Sequence, residues 1–146
     1  MAEGLHISGL RETQARLQSL GPRVEKRVIR KGLRQGAKIV LAAARAEAPE
    51  RSGNVRRNLK IRSGKGSKGT IALSVGAAAK DFKGPAFYTG FLIYGHHVGS
   101  RKLGDKRKFV PANNFLQRAY DGTKEAAAER TVAAWVELID QEVKSQ

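Results

Sequence analysis

Apolar positions fall into runs of different period along this chain, and the period assigns each run to an element. Leu5-His6-Ile7 alternates and is short, which predicts a brief edge strand. Ser8 stands where a cap would open a helix carrying Leu10, Leu17 and Leu20, ended by Gly21-Pro22. From Arg23 to about Ala48 the residues Val24, Val28, Leu33, Ala37, Val40, Leu41, Ala44 and Ala48 recur mostly every three to five positions. That spacing predicts one long helix with a single apolar stripe, stopped by Pro49. Gly32 and Gly36 each cost a helix about 1 kcal/mol against Ala, a loss that a close helix contact would offset.

After a loop-like break at Glu50–Asn54, the stretch VRRNLKIRS (55–63) reads as a helical turn leading into a strand. Residues 63–69, SGKGSKG, make a flexible basic turn. Thr70 to Val75 alternates, so residues 58–76 are expected to form a hairpin. The aromatic run Phe87-Tyr88-Thr89-Gly90-Phe91-Leu92-Ile93-Tyr94 is expected to be a third strand, broken at Gly90. Residues 96–108 have no apolar period and are expected to form a long loop. Pro111 precedes a last helix that starts near Asn113 or Asn114, with an interruption expected at Asp121-Gly122. Phe115, Ala119, Ala126, Val132, Trp135, Val136, Ile139 and Val143 would be its apolar face.

This order predicts an α+β fold. A small antiparallel sheet of about three to four strands would pack with a long N-terminal-half helix and a long C-terminal helix. At 146 residues the chain reads as one domain, 1–146, with a mobile basic hairpin at 51–69 and a mobile loop at 96–109.

Charge adds the next constraint. The chain carries 28 Lys+Arg against 13 Asp+Glu, a formal net charge of +15. The excess is regional, because residues 121–146 hold three bases and six acids. Arg51, Arg56, Arg57, Lys60, Arg62, Lys65 and Lys68 crowd the first hairpin zone, and Arg101, Lys102, Lys106, Arg107 and Lys108 the later loop. The plain reading is a solvated surface. The sharper one is a contact surface for phosphate or for carboxylates of another subunit, since Gly-rich basic segments can order on meeting an opposite charge. Neither cluster has interleaved aromatics, so any nucleic-acid contact would be with the backbone and insensitive to sequence.

Catalytic and cofactor chemistry finds little support. There is no cysteine. His96 and His97 are adjacent, and neighbours in an extended chain point to opposite faces, so no metal site is expected. Gly64–Gly69 lacks the GxxxxGK[ST] pattern and lies between strands, so no nucleotide loop and no cofactor are expected. No Ser/His/Asp set or carboxylate pair suggests an enzyme. The first residues lack a positive segment followed by an apolar run, so no secretory signal is expected, and no apolar run is long enough to span a membrane.

Three motifs together resemble one family. Ala48-Pro49-Glu50-Arg51-Ser52-Gly53-Asn54-Val55-Arg56-Arg57-Asn58-Leu59 resembles an AP-x-x-[TS]-G-x-[LV]-[RK]-x-[SN]-[IL] signature that follows a long helix. Tyr88-x-x-Phe91-Leu92-Ile93-Tyr94-Gly95 is similar to a Y-x-x-F-[LV]-E-[FY]-G strand, with Ile93 where an acid is common. Pro111 to Ala119, with Phe115 and Leu116, resembles P-x-x-P-F-[LM]-R-P-A, with Asn113-Asn114 in place of the usual proline. These belong to the tail-completion, or minor tail, proteins of long-tailed bacteriophages.

The resemblance implies a structural virion protein with no catalytic residue, assembled in the host cytoplasm. Six copies would form a neck ring that completes the tail and joins it to the head. Its neighbours would be head-closure and tail-terminator or tail-tube proteins, with double-stranded DNA passing through the bore. Pro49, Gly53, Tyr88, Phe91, Tyr94, Gly95, Pro111, Phe115 and Leu116 would shape the subunit, and the basic clusters would contact partner rings or DNA backbone. The net charge fits a rival equally well: a sequence-independent nucleic-acid-binding protein.

Overall fold

The computed structural model describes residues 7–50, 53–64, 66–77, 87–99 and 101–145. Its architecture is α+β, with two long helices as the frame. In chain order the elements are α1 (Leu10–Gln18), α2 (Pro22–Glu47), α3 (Asn54–Asn58), β1 (Lys60–Ser63), β2 (Leu73–Gly76), α4 (Phe87–Tyr94), β3 (His96–Val98), β4 (Lys108–Val110) and α5 (Phe115–Lys144). A 3₁₀ segment, Arg101–Lys106, joins β3 to β4. The strands form two separate antiparallel pairs, β1 with β2 and β3 with β4.

Helix α2 opens on Pro22 at its first position, where the missing N–H is no loss. It packs against α5 over most of its length. Val28 meets Ile139 in one core cluster, and Ala44 meets Phe115 and Ala119 in the other, so the two helices run antiparallel. Between the clusters the axes come close. A Cβ on Gly32 would lie 2.1 Å from Trp135 Cδ1, and one on Gly36 would lie 2.1 Å from Thr131 Oγ1 and 2.4 Å from the Ala127 carbonyl oxygen. Both glycines are therefore required by this approach. Trp135 seals it by donating its indole N–H to the Ile29 carbonyl at 3.1 Å. The first hairpin lies on the C-terminal half of α2, with Ile61 opposite Val75 and Val75 packed on the Ala44–Phe115 cluster.

Several expectations need correction. Residues 87–94 are a helix, not a strand. A short run that is apolar at nearly every position does not reveal its period. The backbone winds as a helix, with Thr89 buried, residues 90–93 half-buried, and Tyr88 and Tyr94 facing solvent. Gly95 ends this helix at φ +73°, a conformation that favours glycine, and a side chain there would also strike Phe109 and the Val110 carbonyl. Residues 96–108 are not a bare loop but most of a second hairpin, with His96 opposite Val110 and His97 opposite Phe109. Ring contacts of His96 on Phe91 and His97 on Phe109 supply packing that the polar sequence conceals. Helix α1 starts at Leu10 after Gly9, so Ser8 does not cap it. The expected strand at Leu5–Ile7 lies outside the described residues except for Ile7, which is in no strand.

Helix α5 runs through Asp121-Gly122 unbroken. Its buried seam is Phe115, Ala119, Ala127, Thr131, Ala134 and Ile139, whereas Ala126 and Val143 are exposed. Close approach at Gly36 selects small residues for the seam, and an apolar ranking overlooks them. Gly122 meets nothing within 4 Å. Gly122→Ala is therefore expected to stabilise the fold by about 0.5–1 kcal/mol, through helix propensity alone. Thermal denaturation should show a midpoint raised by about 2–3 °C, and a lowered midpoint would contradict the exposed position.

Candidate interaction surfaces

The sequence-predicted contact residues are spread over two hairpins. Arg51 and Lys65 lie outside the described residues. In the first zone, Arg56 and Arg57 sit on α3, where Arg56 pairs with Glu50 and Arg57 donates to Asn54 Oδ1 at 2.6 Å. Lys60 and Arg62 lie on β1 opposite Gly76 and Ser74, and Lys68 is exposed in the connecting turn. That turn is closed by backbone bonds from Gly64 N–H to the Ala72 carbonyl and from Thr70 N–H to the Ser67 carbonyl. Two of these cations thus brace their own segment.

The second zone is the tip of the β3–β4 hairpin. Arg101 begins the 3₁₀ segment, Lys102 and Lys106 are exposed on it, and Lys108 is exposed at the start of β4. Arg107 donates its Nε–H to the Gly104 carbonyl at 3.1 Å, folding the tip on itself. Large apolar side chains are exposed on the same hairpin, Phe109 at 52% and Val98 at 49%, and on α4 just before it, Tyr94 at 71% and Tyr88 at 54%. Exposed aromatic side chains are enriched at protein interfaces relative to the rest of a surface.

The remaining family-motif residues are structural. Pro49 follows the end of α2, and Gly53 caps α3 at φ +66°. Phe91 touches Tyr88 and His96. Pro111 lies between β4 and α5, and Asn113 N–H bonds the Leu92 carbonyl at 2.8 Å, holding α4 to this connection. Phe115 is fully buried and Leu116 packs against its cluster. Among the described residues no three His, Cys, Asp or Glu side chains gather as a metal site, and no helix is long and apolar enough to cross a membrane.

One surface escaped the sequence reading. All eight Lys and Arg of α2 are exposed, and at 100° per residue they fall within an arc of about 140°. This arc lies opposite the seam with α5. Its acids, Glu25 and Glu47, lie outside that arc. Arg23, Lys26, Arg27, Arg30, Lys31 and Arg34 line a shallow groove to which no other residue type contributes. Arg27 reaches Glu142 on α5, and Arg45 donates to the Leu59 carbonyl. The signal was present in the residue spacing of three and four, but it becomes a patch only once the chain is wound.

Comparison with known proteins adds one finding. The profile of the HK97-gp10-like family, described as "Bacteriophage HK97-gp10, putative tail-component", matches residues 11–96. That span holds α1 from its second residue, α2 to α4, both hairpin strands β1 and β2, and the first residue of β3. No curated protein and no solved structure matches the chain.

Proposed function

The chain belongs to the HK97-gp10-like family of bacteriophage tail components, and on that footing we propose that it is a neck subunit that completes the tail and joins it to the DNA-filled head. It acts by shape and surface, without chemistry on a substrate. Copies associate head to tail into a ring of six, a heterologous contact that closes on itself. The ring sits between head-closure and tail-terminator or tail-tube proteins in the virion, and DNA passes through its bore.

The observation that carries this reading is the family match over residues 11–96. The second hairpin supports how the subunit would dock. It projects Lys102, Lys106 and Lys108 next to exposed Val98 and Phe109, and it contributes no residue to either core cluster. Such a segment binds without being needed to fold.

Deleting residues 99–107 in the phage is therefore expected to leave a folded, soluble subunit and to yield unjoined heads and tails. Electron micrographs of lysates and thermal denaturation of the purified deletion protein check the two halves. Infectious particles at the wild-type level would overturn the docking role of this hairpin.

A further inference from the structure

We infer that the outer face of α2 binds the phosphate backbone of duplex nucleic acid, independently of sequence. The cations from Arg23 to Lys38 extend along about 22 Å of helix at 1.5 Å per residue. Among the described residues, Arg23, Lys26, Arg30, Lys31 and Arg34 have no ion-pair partner. These five unpaired cations span about 16 Å of helix, one per about 3–4 Å, close to the phosphate spacing of about 3.4 Å along one strand of a duplex.

Two observations favour phosphate over a protein surface. The groove is lined by Lys and Arg alone, with no aromatic or aliphatic side chain. Protein interfaces have an apolar centre, and this groove offers none, whereas the second hairpin exposes Val98 and Phe109. The chain is also poor in acids with which a second copy could answer. Glu47, Glu50, Glu137, Asp140 and Glu142 are already paired within the chain, which leaves Glu12, Glu25, Asp121, Glu125 and Glu129 as the acids without an ion-pair partner among the described side chains.

The absence of aromatics also excludes base stacking, and a straight row of flexible cations carries no base code. Binding of this kind weakens steeply with salt and lets DNA slide. Sliding contact suits a subunit beside moving DNA, but the inference concerns the free chain and does not depend on its place in a particle.

The test is titration of the purified full-length protein with two mixed-sequence DNA duplexes of equal length, at several salt concentrations. Both duplexes should bind alike. R30Q/K31Q/R34Q should bind about tenfold more weakly or worse, and the slope of log affinity against log salt should fall by about three. Glutamine is a good helix former, so its circular dichroism and thermal midpoint should match wild type. K102Q/K106Q/K108Q, with the same charge change on the second hairpin, should alter the slope by less than about one. Wild-type affinity and slope in the α2 variant would overturn the inference. So would an equal loss in both variants, which would reduce the effect to net charge, or loss of self-association without any DNA binding. Failure here leaves the tail assignment standing, since that assignment is tested by particle assembly.

Discussion

Alanine at position 36 is expected to destabilise the protein by at least about 2 kcal/mol, although alanine is the better helix former by about 1 kcal/mol. The added Cβ would fall 2.1 Å from Thr131 Oγ1 and 2.4 Å from the Ala127 carbonyl oxygen. The first atom belongs to a side chain held in place, because Thr131 donates its hydroxyl proton to that same Ala127 carbonyl at 2.8 Å. The second is backbone and yields only if α2 and α5 move apart. Separation would in turn loosen Trp135, whose N–H reaches the Ile29 carbonyl across the same seam. Urea denaturation followed by the fluorescence of the single tryptophan should show the loss. Thr131→Ala in the same chain should recover only part of it, since the carbonyl clash remains. A midpoint equal to wild type would mean that the helices are not in close contact at Gly36.

Phe115→Ala is expected to cost about 3–5 kcal/mol, the range for emptying a buried aromatic site. The ring is fully buried among Ala44, Ala48, Val55, Leu59 and Ala119. Three of those neighbours are alanines, with no long side chain to collapse into the space. The site is also a junction, because α2, α3 and the start of α5 meet on this one ring. Against a typical domain stability of about 5–15 kcal/mol, that loss removes between about a fifth and all of the margin. Phe115→Leu should lose less than half as much, because it keeps most of the volume. Equal losses in the two variants would place the importance of Phe115 elsewhere than in filling space.

What could be read from residue order follows from the length of each pattern. Helices α2 and α5 repeat their period for several turns, so their existence, and α2's stop before Pro49, were legible. The first hairpin was legible from its alternation around a glycine-rich turn. Helix α4 was not, because Phe87–Tyr94 is apolar at nearly every position, and such a short run fits a buried strand as well as a helix. The second hairpin has strands of three residues whose pairing is stabilised by His–Phe contacts, which no alternation announces. The seam on α5 was missed at Thr131 because a polar residue does not count toward an apolar stripe, although it is the side chain that faces Gly36.

The candidate surfaces divide in the same way. Glycine and lysine adjacent in sequence made the two hairpins conspicuous, and the structure places their cations on separate segments, some of them paired at the surface within their own segment. The denser cationic face is on α2, where apolar residues interrupt the charges in one dimension but not in three. Reading the apolar stripe of a helix without its complement hides such a surface.

The antiparallel seam between α2 and α5 also dictates when the subunit can exist during its own synthesis. Trp135 bonds to a residue 106 positions earlier, and Asp140 to one 124 positions earlier. Phe115 and Ala119 complete one cluster and Ile139 the other, so neither closes before α5 has been made. Closure over so many residues is entropically costly and slows folding. A nascent chain that already displays α2 therefore waits with its apolar stripe unburied until α5 emerges, and no half-translated subunit can compete for a place in the assembling tail.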